Sequence, residues 1–203
     1  MVSDEGLDAA MTDGPGVVGE LRAVVLVKGV SDQLALEALA GRRVRDLAAE
    51  GIAIVPIGGA TIIPRFLEMF GPRGRDIRLA GLCDAAEEAY FRRSLERAGL
   101  GEDLTRSDME ALGFYVCDAD LEDELIRSLG SAAVEHIIDS QGELGSFRIL
   151  QKQPAQRKRS IEHQLRRFMG TKAGRKHRYA PLLVQALDPR EVPRPLVGVL
   201  AHV

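Results

Sequence analysis

The sequence contains no tryptophan, and aromatic residues make up only 4% of its 203 positions. That scarcity argues against a platform on which successive single-strand bases stack. Cysteine is almost absent too: Cys83 and Cys117 stand far apart with no Cys-x-x-Cys spacing, so neither a disulfide framework nor a structural zinc site is expected, and both read as buried thiols. No apolar run approaches the roughly 20 residues of a membrane helix. The N-terminus lacks a basic region followed by an apolar one, and the default expectation is a cytoplasmic protein. His136, His163 and His177 share no metal spacing on one helix face and read as surface residues.

Net charge is also small, at −3, but it is unevenly spread. Residues 148–178 carry eleven Lys/Arg against one acid, Glu162, whereas the rest of the chain carries 16 Lys/Arg and 29 Asp/Glu. Two partners could answer that basic stretch: the acidic remainder of the same chain, or nucleic-acid phosphate, each of whose contacts releases counterions. Arg157, Lys158, Arg159, Arg166 and Arg167 are the candidate phosphate contacts. No base-reading module is visible, so sequence specificity is not expected.

What organises the chain is the run Ala23-Val24-Val25-Leu26-Val27, which leads into Lys28-Gly29-Val30-Ser31-Asp32. A continuous apolar run fits a strand buried on both faces, and in open α/β sheets ligands bind just beyond the carboxyl ends of such strands. Residues 1–20 read as a mobile tail. Strand expectations follow at residues 22–27, 52–57, 77–83 and 114–117. Helices are expected from Ser31, as N-cap, to about Glu50, then over 61–70, from Glu88 towards Gly99, over 107–112, and from an Asp120 cap to Leu129 with Gly130 as stop. Strands alternating with helices predict a parallel α/β sheet of about four strands over residues 21–130. Beyond Gly130 only helices are expected, over 132–139, 146–151, 160–169 and 175–187, giving a basic helical extension packed on the core. The last residues, rich in proline, read as an extended tail with one short apolar pairing at 196–201.

The strand before Gly29-x-Ser31-Asp32, the pair Gly58-Gly59 and Asp84 after the third strand resemble a Toprim domain, the fold of topoisomerases, bacterial primases and the overcoming-lysogenization-defect (OLD) nucleases. The fuller resemblance is to the last group, in its stand-alone actinobacterial form. It is carried by Gly58-Gly59-Ala60-Thr61, Gly81-Leu82-Cys83-Asp84-Ala85-Ala86-Glu87-Glu88, Gly113-Phe114-Tyr115-Val116-Cys117, Asp120-Leu121-Glu122-Asp123-Glu124-Leu125 and Arg175-Lys176-x-Arg178-Tyr179-Ala180, and covers roughly residues 22–200. The resemblance implies a Mg²⁺- or Mn²⁺-dependent DNA endonuclease, with Asp32, Asp84, Glu87 and Glu122 as metal ligands and Lys176 steadying transition-state charge. Gly29, Gly58 and Gly59 would let phosphate approach the backbone. In the resembled nucleases an ATPase is often fused or encoded nearby.

Two positions depart from that pattern. Lys28 stands where the family has a glutamate assigned to metal binding or acid/base work, and an ammonium has no lone pair for a metal. Ala86 stands where many Toprim proteins have the second acid of Asp-x-Asp, and Glu87 is its nearest replacement. Glu37 and Glu20 could stand in for the missing glutamate only if the chain folds back. Purely structural roles compete at each acid: Asp84-x-x-Glu87 is a capping-box pattern, Ser31-Asp32 a helix start, and Glu122-Asp123-Glu124 an acidic first turn. Residues 170–176 lack the Gly-Lys-Ser/Thr ending of a P-loop, so no ATP site is expected. The alternatives to an endonuclease are a catalytically impaired nucleic-acid-binding module, with the Lys28 charge on phosphate, and a metal-dependent phosphotransferase or phosphatase acting on small molecules.

Overall fold

The computed structural model describes residues 21–203, so the expected tail at 1–20 and Glu20 lie outside the described residues. Strand β1, Ala23–Val27, is buried along its whole length because it lies inside the sheet, with parallel neighbours on both sides. The sheet order is β2-β1-β3-β4, with β2 at Ile52–Pro56, β3 at Arg78–Asp84 and β4 at Phe114–Cys117. In register, Val27 lies beside Pro56 and Leu82, and Asp84 beside Cys117.

Alternate strand residues feed two apolar layers, as the pleat requires. Val24 and Leu26 face one layer, with Phe66, Leu67 and Phe70 of helix α2 (Ile63–Phe70), Phe91 and Leu95 of α3 (Glu88–Arg97), and Met109 of α4 (Arg106–Ala111). Val25 and Val27 face the other. There they meet α1 (Val30–Arg42), α5 (Leu121–Leu129), α6 (Ser131–Ser140), α7 (Leu144–Lys152), α8 (Ile161–Met169), α9 (Arg175–Ala186) and α10 (Arg194–His202). The helices after Gly130 therefore complete one face of the sheet's own core. The chain goes from β1 to β2 by α1 on one face and from β2 back across β1 to β3 by α2 on the other, so the switch in direction falls between β1 and β3, where open α/β sheets leave a crevice.

Three local expectations are corrected. Helix α1 starts at Val30 with Gly29 as N-cap, while Ser31 lies inside the first turn. The Asp32 carboxylate reaches back to the Gly29 N–H at 2.8 Å and does the capping itself. The same helix stops at Arg42, well short of Glu50, in a Schellman motif: Arg45 N–H donates to the Ala40 carbonyl and Val44 N–H to that of Gly41. Val44 occupies the left-handed position at φ 57°, a place usually given to glycine or asparagine, so its apolar side chain marks no helical turn. Lastly, the extended tail is helix α10. Pro193 caps it and Pro195 lies in its first turn, where a fixed φ and a missing N–H cost nothing, and Leu196, Val199 and Leu200 are buried against the sheet.

Candidate functional site

At the carboxyl ends of β1 and β3 lies a crevice of about 210 Å³ lined by Lys28, Gly29, Ser31, Asp32, Asp84, Asp120, Leu121, Glu122 and Lys176. Each charged group arrives by a separate device. Lys28 follows the last residue of β1, and Asp84 is the last residue of β3. Asp32 is held by its capping bond to Gly29. Asp120 caps α5 with one oxygen, accepting from the Asp123 N–H at 2.9 Å, and accepts from Arg166 with the other at 2.7 Å. Glu122 sits in the first turn of α5 and Lys176 in the first turn of α9.

The lysine that replaces the expected glutamate is not idle. Its Nζ lies 2.6 Å from Asp84 Oδ2 and 3.3 Å from Glu87 Oε1. Burial would lower the Lys28 pKa, but the two carboxylates outweigh it and leave the amine more firmly protonated than usual. For Asp84 the balance runs the other way: burial raises its pKa, and Lys28 opposes the rise without cancelling it.

Asp32 and Glu122 form the second half of the crevice. Asp32 is 7% exposed, and burial, reinforced by the charges of Glu122 and Asp84, lifts its pKa from 3.8 to about 7 against the opposing Gly29 hydrogen bond and the Lys176 charge. Glu122 is 5% exposed; its Oε2 accepts from Lys176 at 2.9 Å, and its buried Oε1 has no hydrogen-bond partner among the described residues. An orphaned buried oxygen costs about 1–3 kcal/mol, so this side favours an added cation or donor. Two hard carboxylates with waters suit Mg²⁺, which is commonly held through one or two acids. The Asp84–Glu87 side does not fit a divalent ion while Lys28 fills it. Accordingly, among the described residues no three acidic, histidine or cysteine side chains stand together as a metal-binding group.

The remaining expectations divide. Glu87 gives half a capping box, its Oε2 accepting weakly from the Asp84 N–H at 3.4 Å, while the Asp84 carboxylate turns to Lys28. Asp123 and Glu124 are structural: both pair with Arg127, and Glu124 accepts from the Asp118 N–H. Glu37 hydrogen-bonds Gln33 and lines a different cleft, so it does not replace the glutamate. The N–H of Gly58 is spent on the Lys28 carbonyl and that of Gly29 on Asp32, so neither is free for phosphate. Gly58 and Gly59 have φ of 73° and 129°, and open space surrounds both, so the turn itself calls for glycine. Cys83 and Cys117 are free, and burial pushes both thiols up, away from reactivity.

Nine of the eleven Lys/Arg of the basic segment fall into two sets. Arg148 pairs with Glu135, Arg166 with Asp120, Lys176 with Glu122, and Arg175 and Arg178 with Glu143. Arg157, Lys158, Arg159 and Arg167 are exposed and make no ion pair among the described residues. The loop carrying the first three is tied down by the Gln164 side-chain amide, which donates to the carbonyls of Gln156 and Arg159. Arg166, expected with the outward group, instead belongs to the crevice rim.

Sequence reasoning took Asp120 only as a cap, and its second oxygen was invisible because Arg166 lies 46 positions away. It missed Glu143 altogether. That carboxylate accepts from Arg175, Arg178 and Tyr179, residues flanking Lys176, and so fixes the start of α9.

A parallel β2-β1-β3-β4 sheet with acids gathered at its switch point is the Toprim architecture. Residues 21–85 match the family model described as "Overcoming lysogenization defect protein-like, TOPRIM domain". Over those residues the chain is similar to an OLD-type Toprim domain, and the four-stranded parallel sheet flanked by helices has the same fold. Among solved structures, the C-terminal region of the Burkholderia pseudomallei OLD protein superposes with a TM-score of 0.69 at 19% identity, over 90% of this chain and 96% of that one. The C-terminal region of the Xanthomonas campestris pv. campestris OLD protein gives a TM-score of 0.67 at 22% identity, over 90% and 91%. No curated protein matches the chain significantly. Among the described residues no helix is long and apolar enough to cross a membrane.

Proposed function

We propose that this chain is a nuclease-type Toprim domain that binds DNA through the exposed cations of its C-terminal half and cleaves phosphodiester bonds at the β1/β3 crevice with Mg²⁺ or Mn²⁺. The observation that carries this reading is the gathering of Asp32, Asp84, Glu122 and Lys176, drawn from four separate elements, around one crevice. Asp32 and Glu122 would hold the ion; Asp84 and Glu87 could join them only with Lys28 withdrawn. The ion's contribution, when bound, is to neutralise phosphate charge and to acidify water. Lys176, 41% exposed and anchored on Glu122, offers its ammonium to an entering phosphate. Arg157, Lys158, Arg159 and Arg167 would follow the nucleic-acid backbone.

Supercoiled plasmid incubated with the protein and Mn²⁺ is expected to become nicked, and Asp32→Asn and Lys176→Met to lose that activity. Nicking that survives in both variants would remove the crevice from the reaction. A second reading, a non-cleaving DNA-binding module, is favoured by the Lys28 ion pairs to Asp84 and Glu87. It predicts a parent that binds DNA without nicking it and gains activity in Lys28→Glu.

A further inference from the structure

The crevice has two halves in different states. On one side the Lys28 ammonium already touches Asp84 and Glu87, at 2.6 and 3.3 Å. On the other, among the described residues, Glu122 keeps an unpartnered buried oxygen, and Asp32 has no cation in direct contact, its carboxylate bonded to a backbone N–H. Charge sharpens the contrast. Three cations, Lys28, Lys176 and Arg166, stand among five acids, Asp32, Asp84, Glu87, Asp120 and Glu122. With every acid ionised, the excess is two negative charges, the complement of a single divalent ion.

We infer that the Lys28 ammonium is a resident cation of the crevice, neutralising Asp84 and Glu87, and that it confines a divalent ion to the Asp32–Glu122 side. This deepens, and rests on, the reading that the crevice takes a divalent ion. Withdrawing Lys28 leaves Asp84 and Glu87 facing each other uncompensated, a repulsion that an external cation relieves. Lys28 and a metal thus compete for the same two carboxylates, and the competition is local: Glu122 and Asp32 keep their positions because α5 and the Gly29 cap hold them. A phosphate entering the crevice meets two half-exposed ammoniums, Lys28 at 46% and Lys176 at 41%.

The experiment measures Mn²⁺ binding by the whole chain without DNA, following free Mn²⁺ by electron paramagnetic resonance, for the parent and for Lys28→Gln, Glu122→Gln and the Asp84→Asn/Glu87→Gln pair. The parent is expected to bind one ion. Lys28→Gln should bind a second ion or bind about tenfold more tightly. In the parent background the Asp84→Asn/Glu87→Gln pair should shift affinity by less than about threefold, because those acids are already taken, while Glu122→Gln should abolish binding. Thermal unfolding gives a second readout: Lys28→Gln should melt below the parent in chelator and recover most of the difference with Mn²⁺. Equal Mn²⁺ number and affinity in parent and Lys28→Gln overturns the inference and leaves the metal reading standing. So does loss of parent binding in the Asp84→Asn/Glu87→Gln pair, which stays informative even if Lys28→Gln fails to fold. Binding by neither parent nor Lys28→Gln overturns the metal reading and the inference together.

Discussion

Two sets of cations in the same stretch behave oppositely. Arg148, Arg166, Arg175, Lys176 and Arg178 turn inward onto acids supplied by α5, α6 and the residues flanking them. Arg157, Lys158, Arg159 and Arg167 face solvent. The difference is one of pairing for most of them, since Arg148, Arg166, Lys176 and Arg178 keep 40–46% of their side chains exposed, and one of burial for Arg175 alone. Arg175 is 7% exposed, with its guanidinium 3.9 Å from the centre of the Phe168 ring and its donors shared among Glu143, Thr171 and the Phe168 carbonyl. An arginine placed in this way is part of the protein's interior. A side chain such as Lys158 keeps its hydration and is available to a partner.

The largest effect is expected at the inward set. Arg175→Met should cost about 3–5 kcal/mol in urea unfolding, because it removes one member of a buried pair and frees the turn before α9. Glu143 retains Arg178 and Tyr179, which keeps the loss within that range. A loss below about 1 kcal/mol would mean that Arg175 is no more structural than the exposed cations.

Next comes Asp32, a crevice acid that makes no ion pair among the described residues. Its pKa is about 7 in the folded protein against 3.8 ordinarily, so between those values the native state holds a proton that the unfolded chain has released. Stability therefore falls as pH rises from about 4 to 7, by about 3 kcal/mol, and stays low above 7. In chelator, Asp32→Asn should flatten that slope and be the more stable protein at pH 8. Chemical denaturation at pH 5 and pH 8 checks both, and an unchanged slope would locate the buried charge elsewhere.

The outward set should give the smallest stability change and a clear effect on binding. Replacing Arg157, Lys158 and Arg159 together by alanine should leave unfolding within about 0.5 kcal/mol per site. DNA affinity, followed by fluorescence anisotropy across a salt series, should fall about tenfold or more, and the salt dependence should lose roughly 0.9 of slope for each contact removed. If the slope holds, the exposed cations do not meet phosphate, and the contrast between the two sets reduces to one of stability.

Much of the architecture could be read before any coordinates. Strand β4 lies at 114–117 as expected, and α5 runs from its Asp120 cap to Gly130 as expected. Such signals are local: a side-chain oxygen before an amphipathic stretch, a glycine after it, an apolar run of strand length. The failures are equally physical. The helix expected to reach Glu50 stops early because the left-handed cap at Val44 is set by the backbone bonds of Val44 and Arg45 to Gly41 and Ala40. The prolines near the end read as breakers, yet at the start of α10 they favour the helix, which is held by the burial of Leu196, Val199 and Leu200 and lies close because Gly198 has no β-carbon, one of which would stand 2.3 Å from the Tyr115 ring atoms.

By itself the sequence determined the alternating strands and helices, the acids and the lysine at the strand ends, and the basic stretch, because each is written in neighbouring residues through side-chain period, capping chemistry and charge. Only the tertiary structure decided which charges meet. Lys28 finds Asp84 across 56 positions, Lys176 finds Glu122 across 54, and Arg175 finds Glu143 across 32. Coulomb energy falls off with distance in space, with no regard for distance along the chain, so the pairing of these charges came into being only when the sheet closed and the C-terminal helices packed against it.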